Sequence, residues 1–265
     1  MRHALIPLLL ASALALAPPA GAEPLPSMAQ LQARLGPPRS FTVVEPHLST
    51  AERPVRVSYR GWPAADLLTA QLGPGWEQGE REIEFRALDG FVSRIPVERF
   101  AKYPAYLVFA RGDGAAFQVD NLAQHEKAVP LGPYYLIWDN VAAPELLAEG
   151  GALWPYQVAQ IALRPSSRAA LLPAALAPGF EAQAALVQKF CLSCHQINGY
   201  GGDKMPLNLA ARAKLIDAGT WRTWLLTPQA LKPGTSMPPL PDTLEQREQL
   251  AQQLHDYLRA LPVLP

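Results

Sequence analysis

Cys191-Leu192-Ser193-Cys194-His195 is the stretch from which the rest of this chain is best read. A Cys-x-x-Cys-His spacing is how haem c is attached to a polypeptide: the thiols add to the haem vinyl groups, and the next histidine reaches the iron. Cysteines one helical turn apart lie on one face of a short helix, with the histidine following at its end. A bare Cys-x-x-Cys also serves redox dithiols and half zinc sites. Here a histidine follows directly, and the chain has only two cysteines, so no second pair completes a zinc site. The expectation is one covalent haem c on Cys191 and Cys194, with His195 as its proximal ligand.

The flanks extend the pattern. Glu181 to Phe190 carries Ala185, Leu186 and Phe190 at helical spacing and leads straight into the motif. Asn198-Gly199-Tyr200-Gly201-Gly202 follows, a turn whose glycines let backbone pass close to a flat group. Thr220 to Leu226 reads as a helix with Trp221, Trp224 and Leu225 on one side, ended by Thr227-Pro228. Lys232 to Pro239 is a loop containing Met237-Pro238-Pro239. Thr243 and Gln246 form a capping box that opens a last helix with Leu250, Leu254, Tyr257, Leu258 and Leu261 on one face. His255 falls on its polar side. Over about residues 178–265 this arrangement resembles a class I cytochrome c, an all-α fold. The resemblance implies that Met237 is the distal iron ligand, a soft thioether that favours ferrous iron and raises the potential. Met205, also followed by proline, is the rival, but ten residues after His195 it has a short path to the opposite haem face. Tyr200 is a residue type suited to a haem propionate.

The other end of the chain reads as an export signal. Arg2 supplies positive charge, Ala4 to Ala17 is apolar, and Ala20-Gly21-Ala22 is a small-x-small cleavage site. The apolar run is shorter than the ~20 residues a spanning helix needs, so residues 1–22 are expected to be removed, leaving no membrane span. The expected location is the periplasm. Formal charge balances to zero without a basic run, which excludes nucleic acid as an expected partner.

Residues 27–163 read as a strand-rich α+β domain. Val55 to Tyr59 is a short strand. Arg60-Gly61-Trp62-Pro63 reads as a turn, with Pro63 at the first position of a helix carrying Ala64, Leu67, Leu68 and Leu72, stopped by Gly73-Pro74-Gly75. Asp89-Gly90 marks a hairpin between Ile83–Phe85 and Phe91–Ile95. Pro96 to Lys102 reads as helix, and Ala105–Ala110, Tyr134–Trp138 and Gln157–Leu163 as strands. Trp62, Trp76, Trp138 and Trp154 read as core, and His47 and His125 as loop histidines. Asp89 and Arg94 take turn and surface roles. Residues 164–177, rich in proline and alanine, read as a semi-rigid linker to the 178–265 domain.

Over roughly residues 40–163, Tyr59-Arg60-Gly61-Trp62-Pro63, Asp89-Gly90-Phe91 with Ile95-Pro96, and Leu131-Gly132-Pro133-Tyr134-Tyr135-Leu136 resemble the molybdopterin-binding domain of the sulfite-oxidase family. In that family a cysteine thiolate ligates molybdenum. No cysteine precedes Cys191, so the resemblance implies a molybdopterin-free relative.

The expected function is electron transfer between redox proteins, from a dehydrogenase donor to a cytochrome or oxidase acceptor. That role includes service as the cytochrome subunit of an oxidoreductase rather than as an enzyme itself. Two alternatives stand beside it. One is an oxidoreductase whose first domain binds molybdopterin or another centre. The other is a sensory module coupling ligand binding to haem redox state.

Overall fold

The structure, a computed structural model, describes residues 23–50, 52–166, 168–242 and 244–264. The export-signal reading of residues 1–22 therefore lies outside the described residues, as does Thr243 of the capping box. The described chain is mixed α and β: a strand-rich N-terminal region built on sheets, then a helical C-terminal region.

The N-terminal region opens with β1 (Glu23–Pro24) and α1 (Met28–Leu35). Ser27 caps α1 through a reciprocal capping box with Gln30. Then come β2 (Arg39–Val44), β3 (Arg56–Pro63), α2 (Ala64–Leu72), β4 (Arg81–Ala87), β5 (Val92–Pro96) and α3 (Val97–Lys102). They are followed by β6 (Ala105–Arg111), β7 (Gln118–Asn121), β8 (Glu126–Pro130), β9 (Tyr135–Trp138) and β10 (Val158–Pro165). One antiparallel sheet runs β1-β10-β4-β5 and another β2-β3-β6-β9. They share a core that includes Tyr59, Trp62, Leu67, Ile83, Phe85, Ile95, Leu107, Tyr135, Trp138 and Ile161. Each large apolar side chain buried there contributes roughly 1.5–3 kcal/mol. Trp76 and Trp154 join that core too, as their residue type suggested.

Arg60 to Pro63 is not a turn. β3 runs through it to Pro63, which stands just before α2 as its N-cap. Pairing with β6 shifts register between Arg60 and Gly61, a bulge in place of the expected reversal. A Cβ on Gly61 would lie 2.2 Å from the Leu107 carbonyl oxygen, so the glycine serves close strand passage.

β4 alternates strictly. Ile83, Phe85 and Ala87 face the core, while Glu82, Glu84 and Arg86 face away. Yet Glu82 and Glu84 are only 2% and 1% exposed, because residues from far along the chain cover this polar face. Glu84 is held among Arg86, Arg94 and Arg164 at 3.6, 2.8 and 3.4 Å.

The chain then crosses into α4 (Arg168–Leu171) and α5 (Glu181–Phe190). After the motif come the short strands β11 (Gln196–Ile197) and β12 (Tyr200–Gly201), then α6 (Leu209–Leu215), α7 (Ala218–Leu226), α8 (Pro228–Leu231) and α9 (Arg247–Ala260). α5, α6 and α7 pack on α9 around a second core, and Leu171 of the connection is buried in it. No helix among the described residues is long and apolar enough to cross a membrane.

The structure corrects three expectations in the helical region. Of the expected α5 face, Leu186 and Phe190 pack half-buried on the second core, but Ala185 is exposed and the fully buried residues are Ala184 and Val187. α9 starts at Arg247 after Gln246, which has φ of 51° and makes no side-chain cap bond. His255 is fully buried, not exposed: its ring stacks on Trp221 at 5.4 Å, and Nε2–H donates to the Ala213 carbonyl at 3.0 Å. Helices pack on both flanks of α9, so its buried face widens from the Leu254–Leu258 stripe to include Ala251 and His255.

Candidate haem-attachment site

α5 ends at Phe190, and Cys191 continues the turn as its C-cap. The motif itself is one tight turn beyond the helix. Cys194 N–H and His195 N–H both donate to the Cys191 carbonyl, at 3.3 and 3.0 Å. Both cysteines are free thiols, half-buried at the margin of the helical region. Burial raises the Cys191 thiol to about 12 and the Cys194 thiol to about 11. Without a reaction partner they therefore stay protonated at neutral pH.

His195 is oriented by its own ring. Nδ1 lies 3.0 Å from the Met205 carbonyl oxygen. A carbonyl only accepts, so Nδ1 carries the proton and Nε2 keeps its lone pair. Burial lowers the imidazole pKa, which favours the neutral form that binds metals. Met205 N–H donates to the Cys194 carbonyl at 2.8 Å, closing a ring of bonds between the motif and residue 205.

The glycine turn packs against the motif at backbone distance. A Cβ on Gly201 would lie 2.1 Å from the His195 carbonyl oxygen, and one on Gly202 would lie 2.1 Å from that of Ser193. Gly202 N–H donates to the Leu192 and His195 carbonyls. Tyr200, suggested for a propionate, instead donates its hydroxyl to Glu82 of β4 at 2.8 Å, and Arg94 lies 4.3 Å above its ring.

Met237, far along the chain from the motif, packs half-buried against the same core as Cys191. Its loop is braced by Gln229, for which the sequence suggested no role. Gln229 accepts from Gly234 N–H at 2.7 Å and donates to the Thr235 carbonyl at 2.6 Å. Met237 N–H donates to Thr235 Oγ1 at 3.2 Å, and Leu240 N–H ties the loop end to Leu225 of α7. Trp221 is core and Trp224 is half-buried.

These residues fit a covalently held haem: two free thiols a turn apart, a neutral imidazole with Nε2 available, and glycine backbone against the loop. Met205 and Leu207 beside the motif are 53% and 43% exposed, apolar surface of the kind a flat apolar group covers. No group of three His, Cys, Asp or Glu side chains among the described residues is arranged to hold a metal ion, so Cys191, Cys194 and His195 do not converge as one zinc-type cluster.

The strand-rich region holds a second polar cluster. His47 is buried rather than looped into solvent, and its Nδ1–H donates to Glu45 at 2.7 Å. Tyr59 and Tyr135 also donate to the Glu45 carboxylate, at 2.6 and 3.0 Å. Burial pushes the Glu45 pKa up, but the His47 and Tyr59 bonds more than offset that and hold it below its ordinary value. His125, by contrast, is exposed. Asp89 pairs with Lys204 at 2.7 Å, and Arg94 pairs with Glu84 at 2.8 Å.

No family model, curated protein or solved structure matches the chain.

Proposed function

We propose that this chain is a periplasmic electron carrier with one covalent haem c, attached through Cys191 and Cys194 and ligated by His195 and Met237. The observation that carries the reading is the His195 imidazole: its proton is held at Nδ1 by Met205, and Nε2 remains for iron beside two free thiols. When bound, the haem supplies a reversible one-electron iron couple. The chain's own residues hold it. The two thiols would anchor it covalently, and His195 and Met237, the latter on its Gln229-braced loop, would ligate its iron. Met205 is a poor distal ligand because its carbonyl is tied to the His195 ring, placing it on the His195 side. With both His195 and Met237 as ligands, the iron would exchange electrons rather than bind substrate, so the partners would be redox proteins met in brief encounters, a dehydrogenase on one side and a cytochrome or oxidase on the other.

On this reading the helical region is a class I cytochrome c domain, and the strand-rich region is a sulfite-oxidase-like domain without molybdenum. It contains no cysteine to serve as that metal's ligand.

Expression in a host with c-type maturation tests the reading. The expected result is a mass increase of one haem, one iron and no molybdenum or copper per chain, and a low-spin spectrum. Met237→Ala should convert the spectrum to a high-spin or water-ligated form and lower the potential. An unchanged Met237→Ala spectrum removes Met237 as ligand, and stoichiometric molybdenum returns the first region to enzyme chemistry.

A further inference from the structure

The strand-rich region grips the motif through the β4–β5 hairpin. Two main-chain bonds cross between them: Val92 N–H donates to the Ser193 carbonyl, inside the Cys-x-x-Cys, and Asp203 N–H donates to the Gly90 carbonyl, both at 2.9 Å. Arg86 pairs with Asp203 at 2.8 Å. The other oxygen of that carboxylate accepts from Gln196, the residue after His195, at 2.8 Å. Asp89 pairs with Lys204, the residue before Met205. Burial pulls the Lys204 pKa down, but the hydrogen bond and charge of Asp89 more than offset it.

The hairpin therefore holds residues 203 and 204, and residue 205 holds His195. We infer that the β4–β5 hairpin is a clamp whose Arg86 and Asp89 are positioning residues for the His195 imidazole, so that docking of the strand-rich region tunes the haem. The inference rests on the haem reading above. Its physical basis is that the partner of the second ring nitrogen fixes a ligating histidine's orientation and raises its basicity. Asp203 is more than half exposed, so the Arg86 pair alone does little. Its effect comes from acting with Asp89 and the two backbone bonds on one short segment.

The test is the full-length variant Arg86→Gln with Asp89→Asn, which leaves net charge unchanged. The amide introduced by Asp89→Asn retains an oxygen for the Phe91 N–H that the Asp89 carboxylate now caps. The control is Arg222→Gln with Glu248→Gln, an equally neutral change at an exposed pair between α7 and α9. In the clamp variant the Met205 amide should exchange with solvent about tenfold faster than in native protein. The reduction potential should also rise, because a looser Nδ1–H bond makes the imidazole a poorer donor to ferric iron. The control should change neither. Exchange and potential both matching the control overturn the clamp. Intact mass separates the two readings: if native protein carries no haem, the haem reading fails, while the exchange rates still decide the clamp. Should the double variant not fold, Lys204→Gln removes the Asp89 pair alone and is read in the same two ways.

Discussion

A methyl group at Gly202 would sit 2.1 Å from the Ser193 carbonyl oxygen and 3.2 Å from Val92 N. Backbone closes on this residue from the motif on one side and the hairpin on the other, so neither neighbour can rotate away. Gly202→Ala must displace the Cys191–His195 turn, at a cost of about 1–3 kcal/mol for forced overpacking. The expected outcome is a lower melting temperature and, on the proposed haem attachment, a smaller fraction of chains carrying covalent haem, read by intact mass. Gly199→Ala is the comparison, because nothing lies within 4 Å of its added Cβ, although its φ of 81° carries some strain. The glycine turn is legible in the sequence as a close-approach element. Which of its glycines faces which carbonyl is not, because composition carries no register.

Among the secondary-structure elements, β2, β3 and β9 converge on the Glu45 carboxylate. Glu45 follows β2 directly, Tyr59 comes from β3 and Tyr135 from β9. A fully buried carboxylate is tolerable only because His47 and both tyrosines satisfy it. Glu45→Gln leaves that set mismatched and should destabilise the strand-rich region by about 3–5 kcal/mol, as breaking a buried charged network does. The pH dependence has a definite sign. The folded pKa lies below the ordinary 4.5, so the stabilisation is complete above about pH 4.5 and is lost as pH falls through the folded value. Denaturant melts from acid to neutral pH should show this acid limb in native protein and a flatter one in Glu45→Gln. Isolated strand patterns are readable from their alternation, whereas Glu45-Pro46-His47 reads as an ordinary loop. The tyrosines that enclose it lie 14 and 90 residues away.

For the molecule as a unit, Glu149 links the two regions. Arg99 of α3 pairs with it at 2.6 Å and Lys189 of α5 at 3.0 Å. Burial raises the Glu149 pKa, but the Arg99 bond and the two cationic charges more than offset it, so its contribution is likewise lost as pH falls through its lowered value. With the Glu82 bonds to Gln188 and Tyr200, this is a polar interface rather than a shared apolar core. Polar contacts between regions with separate cores couple them only modestly. Glu149→Gln combined with Glu82→Gln should therefore split thermal unfolding into two transitions by calorimetry, or widen an existing split. A native-like single transition would show that the regions are joined by something other than these carboxylates.

The order of residues along the chain was enough for the stop of α2 at Gly73, the hairpin at Asp89-Gly90 and the helix that leads into the motif. These depend on neighbours in the chain: a stop glycine, a turn dipeptide, an apolar period. It took the folded chain to show that β3 runs straight through Gly61, that His255 and His47 are buried, and that Tyr200 turns to Glu82. The polar face of β4 is likewise covered by the segment around the Cys-x-x-Cys-His motif, through partners 106 and 118 residues distant. A polar residue's burial depends on whether a distant segment brings it a hydrogen-bond partner, and local pattern holds no record of that meeting.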